Sequence, residues 1–135
     1  MVVVDTDVVS YLFRQDTRGE LYKPHLHGQL LVISPMTRAE LENWSLERNW
    51  GHHRRDEMRV HLKQFVLAPF NEDLCVKWAE ASDSSRRRGR PINSSDAWVA
   101  AVALHYDVPL VTHNGSDYLG VANLKIITQR TPPQH

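Results

Sequence analysis

Three consecutive valines, Val2 to Val4, run directly into Asp5 and a pair of helix-capping residues, Thr6 and Asp7, and this unit limits the fold more than any other stretch of the chain. A short run that is apolar and β-branched at every position suits a strand covered on both faces, as strands of a parallel sheet are. Parallel neighbours cannot be joined by tight turns; they require helical crossovers of right-handed sense. Thr6 or Asp7 caps the first such helix, which carries Val8, Val9, Leu12 and Phe13 on one side.

The order strand, break, helix then recurs. Leu30 to Ser34 reads as a second strand, and Pro35 with Thr37 supplies the break and the cap for a helix through Ala39, Glu40, Leu41 and Trp44, with Glu40 in its first turn or two. A helix from Gly51 to Val66, apolar at Met58, Leu62 and Phe65, pairs with it as a hairpin. Leu67 to Phe70 makes a short strand. Glu72 to Arg88 makes a helix with Leu74, Val76, Trp78 and Ala79 inward, ended by Gly89 and Pro91. Ser94 and Ser95 offer caps for a strongly apolar helix opened by Asp96 and running from Ala97 to Tyr106, and Trp78 and Trp98 are expected in the core. Pro109 to Thr112 is a strand, Asn114 to Asp117 a polar turn, Tyr118 and Leu119 a helical turn, and Leu124 to Ile127 the last strand.

The expected architecture is therefore α/β: a four- or five-stranded parallel sheet flanked by helices on both faces, with a helical hairpin. At 135 residues and 41% hydrophobic composition the chain suits one compact domain, here residues 1–130, with 131–135 and its two prolines as a flexible tail. Sixteen basic residues balance sixteen acidic ones, so affinity for a polyanion must come from a local patch. The lone Cys75 excludes an internal disulfide and a cysteine zinc site, and the N-terminus lacks a signal peptide's basic region. No apolar run approaches the roughly 20 residues of a membrane span, so a soluble cytoplasmic protein is expected.

Asp5, Glu40, Asp96 and Asp117 each fall where a strand gives way to a helix. In a parallel sheet those junctions share one edge, beyond the carboxyl ends of the strands, so acids distant in sequence converge there. One such acid alone is more often a helix cap. Four gathered together repel one another and raise each other's pKa unless a cation is present. Oxygen ligands select hard ions, Mg²⁺ or Mn²⁺, and such ions usually serve phosphate chemistry. On this reading Asp5, Asp96 and Asp117 hold the metal, while Glu40 positions it or accepts the proton of an attacking water. Thr6, Thr112 and Asn114 are placed either to orient the acids by hydrogen bonds or to act as plain caps and turn residues. Arg86, Arg87, Arg88 and Arg90 either grip phosphates or form a solvated helix end favoured by the dipole. Trp44 and Trp50, with His52, His53, Arg54 and Arg55, form an aromatic and basic zone that suits unpaired bases, a partner's helix, or, for Trp44, the core.

The runs VVVDTDVVSYL, ISPMTRAELENW, GRPINSSDAWVAAVAL and PLVTHNGSDY, in this order and spacing, resemble the PIN-domain nucleases, specifically the VapC-type toxins of toxin–antitoxin pairs. The resemblance spans nearly the whole chain. It implies a magnesium-dependent endoribonuclease whose acidic quartet is Asp5, Glu40, Asp96 and Asp117, leaving a 5′-phosphate and a 3′-hydroxyl, with transfer and ribosomal RNA as substrates to test first. It also implies a cognate antitoxin, docked near the helical hairpin, and a homodimer. Asp7 stands where the family often has Asn, and Trp44 where it has a small residue. Two alternatives belong to other classes. The opening VVVDTDVV also resembles haloacid-dehalogenase phosphatases, which need a later lysine and a close acid pair that the stretch from Pro109 to Asp117 lacks. A catalytically silent module binding RNA or protein would keep the fold without the reaction.

Overall fold

Short parallel strands and long crossovers organise the chain as the valine runs predict. The computed structural model describes residues 1–130, and the tail expected over 131–135 lies outside the described residues. The element order is β1 (Val2–Val4), α1 (Thr6–Phe13), α2 (Thr17–Glu20), α3 (Lys23–Leu26), β2 (Leu31–Ile33), α4 (Pro35–Glu47), α5 (His52–Leu62), β3 (Val66–Leu67), α6 (Glu72–Arg87), α7 (Ser94–Tyr106), β4 (Leu110–Val111), a 3-10 turn (Gly115–Tyr118) and β5 (Ile126–Ile127). The strands form one five-stranded sheet in the order β3-β2-β1-β4-β5, parallel at every pairing.

Pleating divides the core in two. Val3, with Val32 and Leu110 from the neighbouring strands, packs against Leu74 and Ala81 of α6 and Val99 and Val102 of α7. Val2 and Val4 point the other way, with Ile33 and Val111, onto Val8 and Val9 of α1, Leu41 of α4 and Met58 and Leu62 of α5. Each valine buried in this way contributes about 1.5–3 kcal/mol. That is why β1 is apolar at every position.

Several boundaries differ from the sequence expectation for local reasons. Asp5 itself caps α1, accepting from the Thr6 N–H, so Thr6 and Asp7 lie inside the helix. Ser34 caps α4, its Oγ accepting from Met36 at 3.1 Å, and Thr37 is buried one position deeper. Asn93, rather than Ser94 or Ser95, caps α7. The helix read to Val66 stops at Leu62, because Val66 pairs with Val32 and is drawn into the sheet. Val76 and Ala79 of α6 are exposed, since the inward stripe follows Leu74, Ala81 and Ser85. Trp78 and Trp98 are half-buried instead of enclosed: their rings lie 5.4 Å apart with Phe70 4.9 Å from Trp98, and the Trp78 indole N–H donates to the Ser94 carbonyl. The one-turn helices α2 and α3 are too short to leave a periodic signal; Asp16 caps the first, and Pro24 stands in the first turn of the second.

Candidate active site

Strand order fixes where a site forms. The chain walks outward from β1 through β2 to β3, then returns to lay β4 on the other side of β1. The connections leaving β1 and β4 therefore part, and a crevice opens at their carboxyl ends. A hollow of about 230 Å³ lies there, lined by five carboxylates, Asp5, Asp7, Glu40, Asp96 and Asp117, with Thr6, Trp44 and Asn114 completing its wall.

Each acid is held by the element that brings it. Asp5, buried at the end of β1, accepts from the Thr6 N–H through Oδ1 at 2.8 Å, and through Oδ2 from the hydroxyls of Thr112 at 2.8 Å and Tyr118 at 2.9 Å. The Tyr118 hydroxyl also lies 3.2 Å from Asp96 Oδ1, so one phenol bridges two carboxylates. Asn93 fixes Asp96 twice, accepting its N–H at 2.8 Å and donating to Oδ2 at 3.1 Å. Glu40, in the second turn of α4, receives the Thr6 hydroxyl on Oε1 at 3.3 Å. Asp117 is exposed at the rim, on the 3-10 turn.

The electrostatics are those of like charges kept from water. Burial, and then repulsion from Asp7, pushes the Asp5 carboxyl up to about 7, although hydrogen bonds from Thr112, Tyr118 and Thr6 pull the other way. Burial raises Asp7, Glu40 and Asp96 as well, with further repulsion from Asp96 at Asp7, from Asp96 and Asp7 at Glu40, and from Asp117 at Asp96. Burial and the charges of Asp5 and Asp96 hold the Tyr118 hydroxyl protonated, so it remains a donor. Lysine, arginine and histidine are all missing from the lining. Among the described residues no three carboxylate, imidazole or thiol side chains are already drawn onto a common point, and the Tyr118 hydroxyl stands between Asp5 and Asp96. His113 beside Asp7 and Arg130 on Asn114 offset only part of this charge, and an all-oxygen donor set matches what a hard divalent cation requires.

All four acids of the quartet reach this hollow, together with Thr6 and Asn114; Thr112 lies beneath, in contact with Asp5. The arginine cluster does not. Arg86 and Arg87 are exposed at the end of α6 and pair with Asp83 one turn back, and neither they nor Arg88 and Arg90 line the hollow. Three residues of the site escape a reading of the sequence. Asp7 points the same way as Asp5, and its Oδ2 accepts from the His113 N–H at 3.1 Å and Asn114 Nδ2 at 2.9 Å, tying α1 to the loop after β4. Tyr118 passes for a turn residue because only the fold shows its hydroxyl between two acids. Arg130 reaches Asn114 Oδ1 at 2.9 Å, although nothing in its local sequence points there. The spacing of Asp5 and Asp7 is the one signal that was legible. No lysine lines the hollow and Asp7 is bound by backbone and amide donors, so the phosphatase alternative lacks its chemistry.

A switch-point crevice walled with carboxylates defines the class, and sequence comparison agrees with it: the PIN domain family model matches residues 2–124, and the chain belongs to that family. Among individual proteins, the chain is 28% identical over 126 residues to Ribonuclease VapC1 of Haemophilus influenzae (strain R2866), covering 91% of this chain and 93% of that one. Its fold is that of VapBC2 from Rickettsia felis, solved bound to a promoter DNA fragment (TM-score 0.83, 17% identity, 96% and 99% of the two chains), and of VapBC-1 from nontypeable Haemophilus influenzae (TM-score 0.76, 24% identity, 95% and 98%). No helix among the described residues is long and apolar enough to cross a membrane.

Proposed function

We propose that this chain is a metal-dependent endoribonuclease and the toxin of a toxin–antitoxin pair. One observation carries the reading: five carboxylates share a small, partly desolvated hollow that no basic side chain lines among the described residues, Arg130 reaching only Asn114 at its edge. Membership of the PIN domain family and likeness to a protein named a ribonuclease over nearly all of both chains support it.

In the proposed site Asp5, Asp96 and Asp117 hold Mg²⁺, or Mn²⁺, with Glu40 beside them. When bound, such an ion neutralises phosphate charge and makes water acidic enough to attack at neutral pH. Glu40 keeps Oε2 for the water's proton, because Oε1 is engaged by Thr6. Its raised pKa moves it toward neutrality, where a general base works best. Thr112, Tyr118 and the Thr6 N–H fix the Asp5 carboxylate, and Asn93 fixes that of Asp96, so both are oriented before substrate arrives. The water oxygen bonds to phosphorus as its proton passes to Glu40, the bond to the 3′ oxygen breaks, and that oxygen takes a proton from solvent to become a hydroxyl. A 5′-phosphate remains on the other product. Water is the nucleophile, so the 2′-hydroxyl is chemically unnecessary, and a preference for RNA comes from shape and unpaired bases.

The test is cleavage of a transfer and ribosomal RNA panel by purified, partner-free protein with Mg²⁺ and with EDTA. Asp96→Asn and Glu40→Gln are each expected to lower the rate by at least about a hundredfold while keeping the circular dichroism spectrum. A variant that cuts at the parent rate removes its residue from the proposal, and a parent that never cuts leaves the silent binding module.

Two partners complete the proposal. The antitoxin reading rests on the likeness to VapBC assemblies and on the α4–α5 hairpin; co-purification with a protein encoded beside this one tests it. A homodimer accounts for the exposed Leu67, Phe70 and Val76 around β3 and α6, large apolar side chains at 51%, 62% and 55% exposure. Sedimentation of the parent against Phe70→Glu checks it, with a monomeric variant expected.

A further inference from the structure

The wall of the hollow contains one aromatic residue, Trp44. Resting on the nuclease reading above, we propose that the Trp44 indole is the stacking platform for the unpaired base beside the scissile phosphate, with Arg48 engaging the flanking phosphate, so that this pair positions RNA in a site whose own charge repels it.

The argument starts from helix spacing. Glu40, Trp44 and Arg48 follow one another at four-residue intervals on α4 and its C-cap, so they project along one stripe from the hollow outward. Trp44 is half-buried, with part of its ring packed on the core cluster that includes Leu41 and Met58, which fixes its orientation before any ligand binds. Arg48 is exposed, its guanidinium 5.1 Å from the Trp44 ring centre. Five carboxylates and no basic residue make the hollow a poor place for a polyanion unless attraction comes from something other than charge. Stacking supplies it, and does so for any base, because each has a π-face. Arg48 is a cation over the face of that platform, so a base stacks there as the exposed arginine swings aside to meet phosphate without entering the acid cluster.

The other aromatic hollow, lined by Met36, Phe70 and Trp98 among others, is almost wholly apolar and separate from the acids. It offers no group to hold a phosphate. The stripe on α4 joins both chemistries at the site itself.

The experiment measures binding in a turnover-blocked background, Asp96→Asn, by fluorescence anisotropy with labelled oligouridylate and with a matching chain of abasic ribose phosphates. Trp44→Ala is expected to weaken oligouridylate binding by about five- to a hundredfold and to leave abasic binding within about twofold. Trp44→Phe, which keeps a ring on the core, is expected to retain most of the affinity. Arg48→Gln is expected to weaken both ligands alike and to flatten the salt dependence. A Trp44→Ala variant that loses both ligands equally has lost only its fold or its charge pattern, and one that loses neither has no platform; either result overturns the proposal. Base-dependent binding by a protein that never cleaves RNA would leave Trp44 in place and remove the nuclease reading instead.

Discussion

At the scale of single residues, Asp5 combines two roles that oppose each other. It caps α1 and receives three hydrogen bonds, yet it sits in an acid cluster at 6% exposure, with its pKa raised from 3.8 to about 7. A raised carboxyl means that the folded chain binds more protons than the unfolded one between those two values. Its contribution to stability is therefore fully present below about 4 and is lost as pH rises through about 7. In urea titrations of metal-free protein, Asp5→Asn is expected to gain on the parent as pH rises across that window. A constant difference at all pH values would show that the Asp5 proton is not what the fold holds. Tyr118 sits beside this proton: its hydroxyl lies 2.9 Å from Asp5 Oδ2 and 3.2 Å from Asp96 Oδ1, so its single hydrogen serves one carboxylate at a time.

Helix ends do the positioning at the scale of elements. Asn93 is both the cap of α7 and the clamp on Asp96, so local helix stability and site geometry depend on one side chain. Asn93→Ala is expected to lose about 1 kcal/mol of stability and to lower cleavage further than that loss explains, whereas Asn93→Asp restores the cap but not the donation to Asp96 Oδ2. Cleavage at the parent rate in both variants would show that the Asn93 donation does not shape the site. Behind the 3-10 turn, Gly120 packs on α6 and the loop after it, where a Cβ would come within 2.9 Å of the Arg90 carbonyl and 3.1 Å of Ser85 Cα. Backbone cannot yield there, so Gly120→Ala is expected to lower the melting temperature by several degrees, as a cost of about 1–3 kcal/mol implies. Arg90 thus borders a packing contact through its backbone, while Arg86 and Arg87 pair with Asp83 on the same helix.

For the whole molecule, the sheet order is what turns separate caps into one site. If the acids bind a cation only in the folded chain, Mg²⁺ at about a hundred times its dissociation constant adds about 2.7 kcal/mol, or roughly 10 °C in melting temperature. Differential scanning calorimetry is expected to show that shift in the parent and to lose it in Asp5→Asn and Asp96→Asn; the same shift in all three proteins would mean the ion binds elsewhere. The all-apolar Val2 to Val4, the acids at each junction and the apolar α7 were legible in the amino-acid order because they depend on local periodicity and capping chemistry. Trp78 and Trp98 are only half-buried against the expectation of a core position, since a bulky apolar ring says nothing about how far a neighbouring helix covers it. Sequence by itself determined the parallel α/β architecture and the positions of Asp5, Glu40, Asp96 and Asp117 at strand ends. Only the tertiary structure decided that β4 returns beside β1, which brings Asn114, Asp117 and Tyr118 to Asp5 and leaves the arginines of α6 outside, because long-range strand pairing sets distances that no local pattern encodes.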